Sequence, residues 1–350
     1  MEREQEVNFL RDMLRARRFE ERAAEEYAAG HIAGFLHLYP GEEAVAVGVL
    51  HAGEPGDYVV STYREHVHAL VRGVPARAIM AELFGRKTGI SKGMGGSMHL
   101  FDTERRFMGG YAIVGETYPV AIGIAYAVLL RELPEAVICF FGDGAVNQGT
   151  FHESLNMAAL WRLPVLFVCE NNHYQIGTEI HRHSAVTDVY KRACAYNIPA
   201  QKIDGMDVHQ VFAASGAALR RVRAGEGPQL IEFETYRFRG HSMADPGAYR
   251  PQAELRAYQA NDPLAAEIRQ VTMRYPSAAE IAGAGPDTLG GLAQRYLDEG
   301  HLSDEQLDEL KREVEAEIED AVTFAAGSAE PSWDDAWGIF HRPRHGEVLT

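Results

Sequence analysis

The chain has 350 residues, 46% of them hydrophobic, enough to bury the core of one large α/β domain with or without a helical appendage. Its formal net charge of −16 opposes non-specific attachment to nucleic acid or to an anionic membrane surface, which leaves small molecules and other proteins as partners. Three cysteines stand far apart, two of them (Cys139, Cys169) in apolar runs, so a disulfide framework or thiolate metal site is not indicated and a reducing, cytoplasmic setting is expected.

The N-terminal segment is charged from its second residue and has no signal-peptide core, and no run approaches the ~18 apolar residues of a membrane helix. Residues 3 to 29 place Phe9, Leu10, Met13, Leu14 and Phe19 at helical spacing, predicting an amphipathic helix packed on something larger and closed by Gly30. From about 57 to 235, β-branched runs alternate with helical stretches: a strand at 136–141, a helix from Gln148 to Trp161, a strand at 165–170, a helix near 208–223 and a strand at 229–236. Such alternation predicts an α/β fold, a parallel sheet with helices on both faces, whose ligands bind in loops at the carboxyl ends of strands. After Pro251 the chain turns charged and helical, with Ser303 and Gln306 spaced for a capping box. These readings divide it into an N-terminal helix (1–30), an α/β domain (31–250), a helical region (251–326) and a tail (327–350) that docks on a partner or is partly disordered.

Two consecutive strand ends offer oxygen ligands: Gly142-Asp143-Gly144-Ala145 after the first, Asn171-Asn172-His173-Tyr174 after the second. If the strands are neighbours, Asp143 and Asn172 emerge on one edge, and flanking glycines let the backbone approach a ligand. Mg²⁺ seeks octahedral oxygen ligands, so an Asp, an Asn amide oxygen and a backbone carbonyl near Tyr174 leave positions for phosphate oxygens and water. GDG alone reads equally well as a turn; GDG followed after 26 residues by NN favours the ligand reading.

These segments resemble the thiamine-diphosphate motif, and the resemblance continues through GFLHLYPGEEAVAVG (34–48), STYREHVHALVRGVPARAIMAELFGRKTG (61–89), KGMGGSMH (92–99), GDGAVNQGTFHESLNMAALWRLP (142–164) and ETYRFRGHSMADP (234–246). Together they resemble the α subunits of the pyruvate dehydrogenase decarboxylating component, of cyanobacterial and plastid type, over about residues 8 to 325. The resemblance implies that Asp143, Asn172 and the Tyr174 carbonyl ligate Mg²⁺, and that Gly144, Ala145, Tyr63, Arg64, Arg237 and His241 contact the diphosphate. It further implies that the backbone at Ala112 and Val114 holds the aminopyrimidine, with Ala112 standing where the family pattern has Gly. His66 is implied to lie near substrate and His241 beside the diphosphate, where either could handle protons. Arg239 keeps a surface reading. Ser242 matches a regulatory phosphorylation position of mitochondrial relatives, but ordering the loop is the favoured role for its hydroxyl.

The implied activity is oxidative decarboxylation of pyruvate with transfer of the acetyl group to the lipoyl group of an acyltransferase component. The chain carries no motif for the carboxylate that activates the pyrimidine, so a β subunit is expected to supply it within an α₂β₂ assembly. Acetoin and branched-chain 2-oxo acid dehydrogenase α subunits are the nearest alternatives, and Thr117 stands where mitochondrial pyruvate enzymes have Gln. A Mg²⁺-dependent phosphohydrolase is disfavoured because no second Asp stands two residues after Asp143. The pairs His66/His68 and His181/His183 are too short a set for a metal, and KGMGGSMH resembles a phosphate-cradling loop without nucleotide-binding spacing. The segment Arg237–Arg250, poor in apolar residues, is expected to be mobile until a diphosphate orders it, the alternative being a loop packed by Phe238 and Met243.

Overall fold

A computed structural model describes residues 3–260, 262, 264 and 292–335. The chain runs through α1 (Arg3–Ala28), α2 (Glu43–Ala52), β1 (Tyr58–Thr62), α3 (His66–Val71), α4 (Ala76–Leu83), β2 (Phe107–Tyr111), α5 (Thr117–Leu130), β3 (Val137–Gly142), α6 (Gly149–Trp161) and β4 (Val165–Asn171). A hairpin follows, β5 (Tyr174–Gln175) with β6 (Thr178–Glu179), then α7 (Ile180–His183), β7 (Ala200–Asp204), α8 (Val208–Arg223) and β8 (Gln229–Glu234). Among the described residues three more helices follow, α9 (Gln252–Ala260), α10 (Leu292–Asp298) and α11 (Asp304–Gly327).

Six parallel strands form one sheet in the order β2-β1-β3-β4-β8-β7. The apolar runs of β3 and β4 are continuous because helices cover both faces, and their side chains alternate between two cores. Leu166 and Val168 point to the α2/α8 side with Val45, Val49, Val211 and Leu219. Val165, Phe167 and Cys169 point to the α5/α6 side with Tyr118, Ile122, Phe151 and Leu155. Cys139 and Cys169 are buried free thiols.

β3 and β4 are neighbours in unbroken register from Val137↔Val165 to Gly142↔Glu170, so Asp143 and Asn172 do leave the same edge. β1 is flanked by β2 on one side and β3 on the other. Connections therefore diverge at the boundary between β1 and β3, and a crevice opens over their carboxyl ends.

α1 packs its apolar stripe into the core and its charged face along α11, where Arg15–Glu317 (2.7 Å), Arg18–Glu315 (3.0 Å) and Arg22–Glu319 (2.9 Å) form a ladder. α11 opens with the expected capping box: Ser303 Oγ accepts from the Gln306 N–H at 3.2 Å, and Gln306 Oε1 from the Ser303 N–H at 3.0 Å. The tail reading beyond residue 335 lies outside the described residues. No described helix is long and apolar enough to cross a membrane.

Sequence 92–99 proves to be a cradle with its anion built in. The carboxylate of Glu82, fully buried at the end of α4, accepts from the N–H groups of Ser91 and Gly93 (both 2.8 Å), Gly95 (2.7 Å) and Gly96 (3.1 Å). Successive backbone N–H groups form an anion-binding concavity, and here an internal side chain fills it.

Candidate active site

One cavity lies over the crevice between β1 and β3. Tyr63 and Arg64 enter it from the end of β1, Asp143, Gly144 and Ala145 from the end of β3, and Asn172 and Tyr174 from the end of β4. Ala112 and Val114, which follow β2, and Arg237 and His241, which follow β8, bring the predicted metal- and cofactor-binding residues together on its wall.

The three oxygens predicted as cation ligands are weakly engaged in this cavity. Asp143 is 1% exposed, and its Oδ2 has no hydrogen-bond partner, His183 Nε2 lying 3.4 Å away. Asn172 Oδ1 accepts only a long 3.4 Å bond from the Tyr174 N–H. The Tyr174 carbonyl accepts from Arg237 Nη1, also at 3.4 Å. Buried oxygens are normally well bonded, so a carboxylate, an amide and a carbonyl left this way fit a hard cation. At Gly144 a Cβ would meet the Gln175 side chain at 2.7 Å, so any larger residue there would displace that side chain.

The two asparagines diverge. Asn171 is buried and donates to Glu232 Oε1 at 2.6 Å, whereas Asn172 donates from Nδ2 to Glu42 Oε1 at 2.7 Å. Glu42 stands within GFLHLYPGEEAVAVG, where no motif singles it out; it lines the cavity beside Asn172, with Oε2 3.8 Å from Arg64 Nε. Burial pushes its carboxyl up to about 7 against the opposing effect of Arg64. His37 and Glu170 were also missed. Glu170 is bonded to the Tyr39 hydroxyl and lies 3.1 Å from His68 Nε2.

Arg64 donates to the carbonyls of Leu38 and, at 2.9 Å, His241. Arg237 donates to the Ile176 carbonyl and the Tyr249 hydroxyl, both at 3.0 Å. The rings of His37, Tyr63 and His241 pack together with centroids 4.7 to 5.6 Å apart. Burial and then Arg64 hold both histidines far below the usual range, His37 at about 2 and His241 at about 3. Both are neutral at physiological pH, and the Nδ1 of each is buried without a hydrogen-bond partner.

His66 is elsewhere. Its side chain is fully buried off the cavity wall, with Nδ1 2.9 Å from Glu20 Oε2 and Nε2 2.8 Å from Ser97 Oγ. α3 begins at His66 and turns the ring toward α1, so the structure does not bring it together with the cavity-lining residues.

The β5–β6 hairpin forms part of the rim. Its two-residue turn, Ile176-Gly177, puts Ile176 at φ +54°, a conformation costly for a β-branched residue. Since Ile176 is 59% exposed, little burial offsets that strain. Ile176→Asn is expected to stabilise the chain by about 1 kcal/mol, read as a rise in melting temperature; an unchanged or lower value would argue that the turn is unstrained.

The segment after β8 is organised by polar groups that its apolar content did not foretell. Arg250, buried, donates to the carbonyls of Arg237, Phe238 and Arg239. Asp245 accepts from the His241 N–H (2.6 Å), the Gly247 N–H (2.9 Å) and the Tyr249 hydroxyl (2.7 Å). The N–H groups of Phe238 and Met243 reach the carbonyls of Pro40 and Leu36, both at 2.9 Å.

A parallel sheet whose switch-point cavity sets carboxylate and amide oxygens beside two guanidinium groups defines a class, the α/β proteins that bind ligands at the carboxyl ends of their strands. The chain belongs to the dehydrogenase E1 component family, whose model matches residues 11–277. It is 43% identical to the pyruvate dehydrogenase E1 component subunit alpha of Porphyra purpurea over 328 residues, 92% of this chain and 88% of that one. It is 42% identical to the protein of the same name from Rhizobium meliloti over 329 residues, 94% and 88% of the two chains. With that of Zymomonas mobilis the identity is 50% over 265 residues, 75% of each. The family is thiamine-diphosphate dependent.

Proposed function

We propose that the chain is the α subunit of a pyruvate dehydrogenase, acting on pyruvate with thiamine diphosphate and Mg²⁺ and delivering the acetyl group to a lipoyl-bearing acyltransferase. The observation that carries this reading is the pairing of Asp143 with Asn172 at adjacent strand ends, their oxygens weakly engaged, in a chain whose relatives bear that name.

In this reading Asp143, Asn172 and the Tyr174 carbonyl would hold Mg²⁺. Gly144 and Ala145 would meet the diphosphate through their backbone, with Tyr63, Arg64, Arg237 and His241 around it, because planar guanidinium groups match phosphate geometry. The backbone at Ala112 and Val114 would support the pyrimidine. When bound, thiamine diphosphate supplies the nucleophilic carbon and the electron sink for decarboxylation. The neutral rings of His37 and His241, each with an unpartnered buried Nδ1, would offer a hydrogen bond there to the bound ligand.

A β subunit is supported by the surface. α5 is apolar on nearly every side yet exposes Tyr126, Leu129 and Leu130, which adjoin Leu160 and Trp161 of α6 through the Tyr126–Trp161 ring contact at 5.2 Å. Such helices are normally covered. Ile113, Val114 and Ile176 are exposed at the cavity itself. Co-expression with the β partner is expected to yield an α₂β₂ enzyme that decarboxylates pyruvate in preference to branched-chain 2-oxo acids or acetoin, whereas the isolated chain is inactive. Turnover of pyruvate by the rigorously isolated chain, or preference for another substrate by the complex, would overturn this assignment.

A further inference from the structure

The paired acidic residues at the start of α2, Glu42 and Glu43, face different ways. Gly41 permits this: at φ +103° it brings the backbone so close to the Tyr236 carbonyl that a Cβ would lie 2.1 Å from that oxygen. Glu43 is taken up by Arg17, which also pairs with Asp262 at 2.8 Å, and by the Gly41 N–H at 2.8 Å. Glu42, 1% exposed, is left toward the sheet edge, with Arg64 no nearer than 3.8 Å and its one hydrogen bond made to Asn172. A buried carboxylate without a close cation is costly, and what it gains here is control of one amide.

An asparagine side chain has nearly the same shape after a flip that exchanges its oxygen and nitrogen. Two partners settle the sense for Asn172. The Tyr174 N–H can only donate, so it faces Oδ1; the Glu42 carboxylate accepts, so it faces Nδ2. We propose that Glu42 is a positioning residue for the cation site: it holds the Asn172 amide so that Oδ1, not the amide nitrogen, is offered to the cavity shared with Asp143. This rests on the reading that Asn172 ligates a divalent cation. The Tyr174 bond is long, so without an acceptor at position 42 the amide is free to turn, and the flipped form presents a donor to a cation. Outer partners that orient ligands in this way commonly govern metal affinity.

The test is Mn²⁺ affinity, read by electron paramagnetic resonance on the co-purified α/β complex with thiamine diphosphate present. Glu42→Gln keeps an acceptor for Asn172 and is expected to bind within about threefold of the parent, whereas Glu42→Met, unbranched and without an acceptor, is expected to bind at least about tenfold more weakly. Glu42→Ala, which leaves room instead of adding bulk, carries the same expectation should the methionine variant not fold. Melting temperatures on the same samples separate the two effects: a merely structural role would track the melting temperature and not the presence of an acceptor. Unchanged affinity without an acceptor, or equal loss in the glutamine variant, overturns the inference. Asp143→Asn serves as control. If it weakens Mn²⁺ binding while Glu42→Met does not, only the role of Glu42 falls; if it leaves binding unchanged, the cation reading falls with it.

Discussion

Asp143→Asn is expected to lower the affinity for Mg²⁺ with thiamine diphosphate by about 100-fold or more, near 2.7 kcal/mol, the upper end of what losing even an outer partner of a metal site costs. The substitution keeps the shape of the side chain and removes one formal charge. Without ligands it should cost little, because Oδ2 has no hydrogen-bond partner to lose. The cavity also holds the carboxyls of Glu42 and Glu170, so removal of a third buried carboxylate relieves repulsion. The melting temperature of the ligand-free chain should therefore hold or rise. With cofactor and Mg²⁺ the order reverses, since the parent gains the stabilisation that binding confers and the variant does not. Thermal melting of the α/β complex across a Mg²⁺ titration checks both signs. An equal upward shift in parent and variant at the same Mg²⁺ concentration would remove Asp143 from the cation site.

What the sequence revealed and what it hid follow from the range of the interactions. β3, β4, α6 and α8 each carry their own period or apolar run, and the capping box at Ser303 is local, so all are legible from a short window. The edge shared by Asp143 and Asn172 needed only the assumption that consecutive strands pair, and they do. Glu42 and Glu170 are separated by much of the chain, and nothing in the local pattern of either points to the other. The direction of the His66 ring is hidden for a related reason: its neighbours in sequence line the cavity, but the ring is turned by where α3 begins and by Glu20 on α1. The segment after β8 was judged on its few apolar residues, while what organises it is Arg250 and Asp245 bonding to backbone. The Gly-rich loop resembled a phosphate cradle because it has that backbone form; the anion was ten or so residues upstream, at the end of α4.

That internal anion leads to the second large expected effect. The Glu82 carboxylate accepts four backbone N–H groups, two on each oxygen, at 2.7 to 3.1 Å, and is fully buried. Glu82→Gln replaces one oxygen by an amide nitrogen, which sets donor against donor at two of the four positions. Each donor left unbonded costs up to about 1–3 kcal/mol, so the loop should lose at most roughly 2–6 kcal/mol of local stability. The consequence reaches the cavity, because the loop carries Met98 on its wall and Ser97, whose hydroxyl accepts from the His37 N–H at 3.3 Å and lies 2.8 Å from His66 Nε2. Amide hydrogen exchange reads local opening directly. At about 3 kcal/mol, residues 91–98 should exchange on the order of 100-fold faster in the glutamine variant than in the parent. Glu82→Ala removes the carboxylate altogether and leaves the N–H groups facing a space of carboxylate size, so added formate should restore part of the protection in the alanine variant and none in the parent. Exchange in 91–98 unchanged by either substitution would show that the loop keeps its form without the anion, and its backbone would have to be explained by its glycines alone.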